Sequence, residues 1–200
     1  MQEIEIRTVI DEIEKQKIIA SLLAFGFVLS KEVIQHDIMF DKEDASLFKS
    51  GCKIRVRFED NKKELTYKGS LFTSAEVSKR VELNIPIDTV SLEDISDFLA
   101  SLGYPMCFQY KKKRKVYKKD NISVSFDEWP IIGCMVEIEG EEDTILKLAK
   151  QVAPDCSFGN YRLKDFFTDK MKVSSKSFTQ LKDEYQNETG FNLGKLELIL

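Results

Sequence analysis

Six segments of the chain alternate apolar residues with polar or charged ones at every second position. They are EIEIR (3–7), KIRVRFE (53–59), KELTYKG (63–69), VSKRVELNI (77–85), ISVSFD (122–127) and MVEIEG (135–140). A period of two is typical of β-strands, because successive side chains of a strand point to opposite faces. KKKRKVYKK (111–119) is also predicted to be a strand, although its dense charge obscures the period. We therefore expect a sheet of several long strands.

Three helices are predicted between these strands, over residues 11–26, 91–103 and 141–152. The second has Ser91 and Asp94 as a capping pair, and the third is closed by Pro154. Strands joined by hairpin-type connections, with helices between groups of strands, favour an antiparallel sheet with helices packed on it, an α+β fold. YRLKDFFTDKM (161–171) and SFTQLKDEYQ (177–186) are each compatible with a helix.

Composition excludes several classes of protein. The chain has 200 residues, 42% of them hydrophobic, which suffices for one sizeable core and makes a single domain the expectation. The net charge of −4 argues against a nucleic-acid binder. The start MQEIEIRTVI predicts no secretory signal, and no uncharged apolar stretch reaches the roughly 18 residues of a membrane helix. The four cysteines are far apart, so reduced thiols in a cytoplasmic protein are expected.

The charged faces of the strands are segregated by residue type. Arginine and lysine are concentrated on some strands and carboxylates on others, whereas a solvated face usually mixes its polar residues. Arginine suits bidentate phosphate contacts, and clustered carboxylates suit a hard cation such as Mg²⁺ or Mn²⁺. A sheet closed into a barrel would place both sets around a lumen that accepts a polyphosphate with its metal. The alternative is a set of ordinary strands with their charges in water.

Several segments together resemble the CYTH domains, or triphosphate tunnel metalloenzymes, which include class IV adenylyl cyclases, thiamine triphosphatases and inorganic triphosphatases. The opening Glu3-Ile4-Glu5-Ile6-Arg7 is similar to the family's E-x-E-x-(K/R) signature. QHDIMFD (35–41) resembles the segment before the family's second strand. The matches that follow, in chain order, are GCKIRVR (51–57), LTYKG (65–69), KRVELN (79–84), KKRKVY (112–117) and SFDEWPIIGCMVEIEG (125–140).

The resemblance implies a closed antiparallel eight-stranded barrel, the triphosphate tunnel, with its charged faces inward and its helices outside. It also implies Mg²⁺ or Mn²⁺, held by Glu3 and Glu5 and, from the far side, by Glu137 and Glu139. Glu82 and Asp127 would complete the acidic set, as metal ligands or as internal salt bridges. The triphosphate would be bound by Arg55, Arg57, Lys68, Arg80, Lys112 and Arg114.

Catalysis would involve Glu5, Arg7 and Asp127, but Arg7 departs from the family pattern. The family usually has a lysine there, which in phosphohydrolases is a candidate for activating the attacking water. Arginine does not lose its proton at ordinary pH, so Arg7 cannot be a general base. Water activation would then depend on the metal or on a carboxylate.

The expected function is metal-dependent hydrolysis of a triphosphate: inorganic triphosphate, thiamine triphosphate or a nucleoside triphosphate. Two alternatives stay open, a class IV adenylyl cyclase and a non-catalytic module that binds polyphosphate or a nucleotide. Neither a nucleic acid nor a membrane is an expected partner, and the chain would be a monomer or a homodimer. Residues 1–170 would form the tunnel and 171–200 a tail packed on it. Candidates for ligand contacts, each more typical of ordinary packing or surface positions, are His36, Phe40, Phe72, Tyr110 and Trp129.

Overall fold

A computed structural model of the protein describes residues 2–70, 72–73, 77–159, 161–194 and 196. Its strands are β1 (Gln2–Ile10), β2 (Val28–Phe40), β3 (Lys53–Glu59), β4 (Lys62–Lys68), β5 (Phe72–Thr73), β6 (Ser78–Pro86), β7 (Met106–Lys119), β8 (Ile122–Trp129) and β9 (Gly133–Glu139). Its helices are α1 (Glu12–Ala24), α2 (Ser46–Lys49), α3 (Leu92–Ser101), α4 (Glu142–Val152), α5 (Leu163–Ser174) and α6 (Phe178–Thr189).

The predicted closed antiparallel barrel is confirmed. Eight strands are hydrogen-bonded in the order β1-β9-β8-β7-β2-β3-β4-β6, and β6 pairs with β1 to close the ring. The closing register places Glu3 opposite Arg80 and Glu5 opposite Ser78. The short strand β5 pairs with β6 in addition to these eight. Closure leaves these eight strands without a free edge, and it gives the sheet an inside and an outside.

The outside of the barrel carries the apolar half of each alternation. Ile6, Val136 and Ile138 are fully buried there against α1 and α4, which contribute Ile18, Leu22 and Ile145 to one cluster. A second cluster joins Ile38, Phe40 and Val56 to Ile95 and Leu99 of α3. The three predicted helices are present, and the Ser91 hydroxyl accepts a hydrogen bond from the Asp94 backbone N–H as expected. The polar half of each strand is thereby left for the interior.

The second strand differs from the sequence-based expectation. QHDIMF (35–40) lies inside β2 rather than before it, and β2 extends back to Val28. The first half of this strand is exposed on both faces, with Val28 and Ile34 each 63% accessible, so no clean period of two marks it.

Helices α5 and α6 cover one end of the barrel. Phe166, Phe167, Leu181 and Tyr185 pack with the barrel residues Met39, Phe108, Tyr110, Trp129 and Met135. The predicted boundary at residue 170 falls inside α5, so it does not coincide with the end of an element. The division into a tunnel unit and a tail packed on it stays a prediction.

Replacing Tyr185 by Phe tests how strongly the tail is joined to the barrel. The pairing of β7 with β8 begins at Lys113. The residues of β7 that precede Lys113, Lys111 among them, therefore have no strand partner on the β8 side. The Tyr185 hydroxyl accepts from the Lys111 backbone N–H at 2.8 Å and donates to its carbonyl at 2.6 Å. Tyr185→Phe leaves the backbone N–H and carbonyl of Lys111 without these hydrogen bonds. We therefore expect the free energy of unfolding, measured by urea titration, to fall by about 1–3 kcal/mol. Tyr104→Phe is the control, because its hydroxyl has no partner among the described residues. Equal stability of the two variants would mean that the tail contact is not maintained.

No helix in the described ranges is long and apolar enough to cross a membrane. The four cysteines, Cys52, Cys107, Cys134 and Cys156, form no disulfide bond in the part of the chain that the structure describes.

Candidate active site in the tunnel

The acidic residues of the two end segments meet on neighbouring strands. β1 pairs with β9 so that Glu5 is opposite Glu139 and Arg7 is opposite Glu137. The expectation that Glu137 and Glu139 approach from the far side of the lumen is therefore wrong, because β9 closes directly onto β1. Glu3, Glu137 and Glu139 line one wall of the interior cavity. Glu5 is only 1% exposed and is not part of the cavity surface.

The basic residues predicted to bind phosphate line the rest of the same cavity. Strand β3 supplies Arg55 and Arg57, and its neighbours supply the others. The lining includes Lys68 of β4, Arg80 and Glu82 of β6, Lys112 and Arg114 of β7, and Asp127 of β8. The structure thus brings together every predicted site residue except Glu5, which lies directly behind Arg7 and Arg80.

The cavity has a volume of about 910 Å³ and carries more positive than negative side chains. Eleven basic and six acidic residues line it. One region is apolar instead, formed by Met39, Phe48, Phe108, Met135 and Leu163 near the end that α5 and α6 cover. A polyanion is the ligand type that this charge balance favours, and the apolar region can accept an uncharged group attached to it.

Ten of the interior charges form one continuous belt of ion pairs. Glu3 contacts Lys68 at 2.5 Å and Arg80 at 3.1 Å, and Arg80 contacts Glu5 at 2.7 Å. Arg7 then joins Glu5, at 2.6 Å, to Glu137, at 2.5 Å. The belt continues from Glu137 through Arg114 to Asp127 and Lys112, and at its other end Lys68 reaches Glu82 at 2.9 Å. Such alternation holds the long cationic side chains in defined positions around the lumen.

Asp37 is a buried acidic residue that pairs with two predicted site residues and that the sequence analysis missed. Its carboxylate is completely buried and accepts two hydrogen bonds from Arg57, at 2.6 and 2.7 Å. It also lies 3.8 Å from Arg55. Arg57 and Asp37 face each other across β3 and β2. The sequence analysis did not predict that residues 35–40 belong to a strand of the barrel. It therefore had no reason to expect that the Asp37 side chain faces Arg57.

Lys53 is the second missed residue. It belongs to the same inward face as Arg55 and Arg57 and lines the cavity. The KIRVRFE alternation places it there, so the sequence did contain a signal.

The carboxylates at the acidic wall have pKa values shifted in opposite directions. Burial acts to raise the pKa of Glu137, but Arg7 and Arg114 outweigh it and hold that pKa well below its usual range. Desolvation at the tunnel wall, together with the neighbouring charges of Glu137 and Glu3, raises the pKa of Glu139 to about 7. Burial is the main cause that raises the pKa of Glu5, and Glu137 and Glu3 add to it. Among the described residues no basic side chain lies within ion-pairing distance of Glu139. Glu139 is therefore the carboxylate of this wall that has no counter-charge of its own among the described residues.

The cationic side of the belt behaves differently. Burial, together with the charge of the nearby Arg114, lowers the pKa of Lys112 to about 7, although Asp127 acts in the opposite direction. Burial acts to lower the pKa of Arg7, but Glu137 and Glu5 outweigh it and hold that pKa above its usual range. Arg7 therefore stays protonated, as the sequence analysis expected. Arg114 and Lys112 hold the pKa of Asp127 below its ordinary value against the effect of burial, which marks it as an ion-pair partner.

A divalent metal fits the acidic wall by the chemistry of its donors. Glu3, Glu137 and Glu139 offer carboxylate oxygens, the ligands that Mg²⁺ and Mn²⁺ prefer, and Glu139 has no basic partner among the described residues. In the described part of the chain, no three acidic, histidine or cysteine side chains converge closely enough to form a metal site as they stand. Binding would require Glu3 and Glu137 to turn from their present partners Lys68, Arg80, Arg7 and Arg114.

Two of the aromatic candidates line the cavity. Tyr110 and Trp129 pack on each other, with ring centroids 4.2 Å apart, and both border the lumen. Phe40 is fully buried in the cluster beneath α3, and His36 contacts Gln109, Phe58 and Phe191 and does not line the cavity. The side chain of Phe72 lies outside the described residues.

The fold and the cavity identify the protein as one of a class of closed antiparallel β-barrels whose interior carries side chains of both charges. The family model described as CYTH domain matches residues 1–154. The chain belongs to the CYTH domain family. A curated protein from Methanocaldococcus jannaschii, provisionally assigned as an adenylate cyclase, is 30% identical over 154 residues, which are 74% of this chain and 85% of that protein.

Solved structures share the fold. PH1819 from Pyrococcus horikoshii superposes with a TM-score of 0.67 and 20% identity, over 84% of this chain and 99% of that one. HpAC1 from Hippeastrum, a provisionally assigned adenylyl cyclase described as having a dominant triphosphatase activity, has a TM-score of 0.60 and 18% identity, over 88% of this chain and 97% of that one.

Proposed function

We propose that this protein is a divalent-metal-dependent enzyme that hydrolyses a triphosphate inside the barrel. The observation that carries the proposal is the interior cavity, whose wall has eleven basic and six acidic side chains, nine of them held in one belt of ion pairs. Family membership supports it, as does the triphosphatase activity described for HpAC1. A cytoplasmic location is part of the proposal, in keeping with four cysteines that form no disulfide bond among the described residues.

The basic residues of the lumen would bind and orient the substrate. Arg55, Arg57, Arg80 and Arg114 carry planar guanidinium groups that suit bidentate contact with phosphate oxygens, and Lys68 and Lys112 add point charges. Phosphoryl transfer requires mainly positioning and charge neutralisation, so an array held in place by carboxylates suits it. Asp127 acts by orienting Arg114 and Lys112.

Glu3, Glu137 and Glu139 would hold Mg²⁺ or Mn²⁺, with Glu5 behind them. When bound, the metal supplies a Lewis acid and charge neutralisation at the phosphate. Arg7 holds Glu5 and Glu137 in place and takes no proton, because its pKa lies above the usual range.

Cyclisation of ATP to cyclic AMP and pyrophosphate is the second candidate. The cavity of about 910 Å³ is larger than an inorganic triphosphate needs, and its apolar region with Tyr110 and Trp129 can accept a nucleoside. The M. jannaschii relative supports this candidate.

Product analysis distinguishes the two activities. The purified protein is incubated with inorganic triphosphate, thiamine triphosphate and ATP in turn, with Mg²⁺ or Mn²⁺, and the products are separated. We expect orthophosphate from one substrate, released only when metal is present. Cyclic AMP with pyrophosphate would instead assign the cyclase activity. Tight binding with no product from any substrate would contradict both and favour a non-catalytic binding module.

A further inference from the structure

Lys53 differs from the other basic residues that the described barrel strands contribute to the lumen in having no counter-charge. It is the first residue of β3, it lines the cavity, and its backbone pairs with that of Lys68 across β4. Each of the other cations that the barrel strands contribute to the cavity is paired with a carboxylate: Arg7, Arg55, Arg57, Lys68, Arg80, Lys112 and Arg114. In the ranges that the structure describes, Lys53 has neither an ion pair nor a side-chain hydrogen bond.

The neighbours of Lys53 make this arrangement unfavourable in the free protein. Burial lowers the pKa of Lys53 well below its usual range, and the cations Arg80 and Arg7 lower it further. A partly buried amine among fixed positive charges costs stability unless an anion completes the site. Among the described strand residues of the lumen, Lys53 is thus the cation for which the protein supplies no partner.

Lys53 lies beside the belt of ion pairs. Its neighbour on β4, Lys68, contacts Glu3 at 2.5 Å. The charges of Arg80, Arg7 and Lys68, which all belong to the belt, act on the Lys53 amine. A phosphoryl group that contacts Lys53 would therefore also lie close to these cations.

Given the function proposed above, we propose that Lys53 binds a phosphoryl group of the triphosphate beside Arg80 and Lys68. The oxygens of that group provide the negative charge that the protein omits at this position. Lys53 is then a substrate-binding residue whose counter-charge comes from the ligand.

The test compares Lys53→Met with wild type in two measurements. The first is calorimetric titration with the non-hydrolysable imido analogue of inorganic triphosphate in the presence of Mg²⁺. We expect Lys53→Met to weaken binding roughly 10-fold to 100-fold, in the range of a lost charge-assisted hydrogen bond. The second is the Tm of the ligand-free protein, which we expect to rise, because the variant no longer holds an unpaired amine among cations. Lys53→Arg should bind within a few-fold of wild type, since it restores the charge.

Lys17→Met is the matched control, because Lys17 is exposed on α1, outside the cavity. It should change neither quantity. Equal affinity of Lys53→Met and wild type would overturn the assignment of Lys53. Weaker binding together with a lower ligand-free Tm, and no rescue by Lys53→Arg, would also overturn it by giving Lys53 a structural role. Failure of the wild type itself to bind the analogue would instead contradict the proposed function, so the two failures are distinguishable.

Discussion

Replacing Glu139 by Gln is expected to lower metal-dependent turnover roughly 100-fold or more while leaving the fold intact. Glu139 lines the acidic wall, and the loss of its charge removes a candidate ligand of the metal. Because no basic side chain of the described residues pairs with it, Glu139→Gln breaks no ion pair. Loss of activity in this variant cannot then be attributed to a damaged belt.

The stability of the metal-free variant provides an independent check. The pKa of Glu139 is raised to about 7 in the folded protein, above its unfolded value. Its favourable contribution is therefore complete below the unfolded pKa and is lost as the pH rises through about 7. In EDTA, Glu139→Gln should accordingly be at least as stable as wild type, and its advantage should be larger at pH 8 than at pH 5.

Glu43→Gln serves as the control, because Glu43 is exposed in the turn after β2 and does not line the cavity. It should match wild type in both turnover and stability. Full metal-dependent activity of Glu139→Gln would show that the metal does not use this wall as proposed.

Replacing Asp37 by Asn is expected to lower the free energy of unfolding by about 3 kcal/mol at pH 7, the range seen when one partner of a buried ion pair is removed. Asp37 is completely buried, and its carboxylate is the only described acidic partner of Arg57. The variant leaves Arg57 charged inside the barrel without a counter-charge, and it frees a side chain that we expect to bind phosphate. Triphosphate affinity should fall with stability.

The difference in free energy of unfolding between wild type and Asp37→Asn is expected to depend on pH. Burial acts to raise the pKa of Asp37, but Arg57 and Arg55 outweigh it and hold that pKa below its ordinary value. The stabilisation is thus present above the unfolded pKa and is lost as the pH falls below about 4. In urea titrations the gap between wild type and Asp37→Asn should narrow from pH 7 to pH 3. Asp60→Asn is the control, since Asp60 is exposed in the β3–β4 turn and Asn tolerates its positive φ of 51°. Equal stability of Asp37→Asn and wild type would contradict the buried pairing.

The strands could be predicted from the sequence wherever one face is apolar and the other charged. EIEIR became β1 and KIRVRFE became β3, because their apolar residues found helices or a cluster outside the barrel. Alternation alone could not say that the charges face inward. That depends on ring closure between β1 and β6, a contact between residues about 75 positions apart. The inward direction of the charged faces was predicted from the family resemblance and not from the period of two.

The missed features have physical reasons. β2 bears exposed residues on both faces along its first half, so it carries no signal of one buried side. The role of Asp37 depends on register with β3, which pairs it with Arg57 across a chain separation of 20 residues. The exceptional state of Lys53 could not be seen from its own segment, because it follows from which carboxylates the other cations take. Sequence predicts the residue types of the lumen better than it predicts their partners.

The most direct test of the central claim is a crystal structure of the protein grown with Mn²⁺ and the imido analogue of inorganic triphosphate. The anomalous signal of manganese locates the metal independently of the ligand. We predict a manganese peak beside Glu3, Glu137 and Glu139, with the phosphate oxygens within hydrogen-bond distance of Arg55, Arg57, Arg80 and Arg114. A triphosphate bound outside the barrel, or a manganese peak away from the acidic wall, would contradict the account.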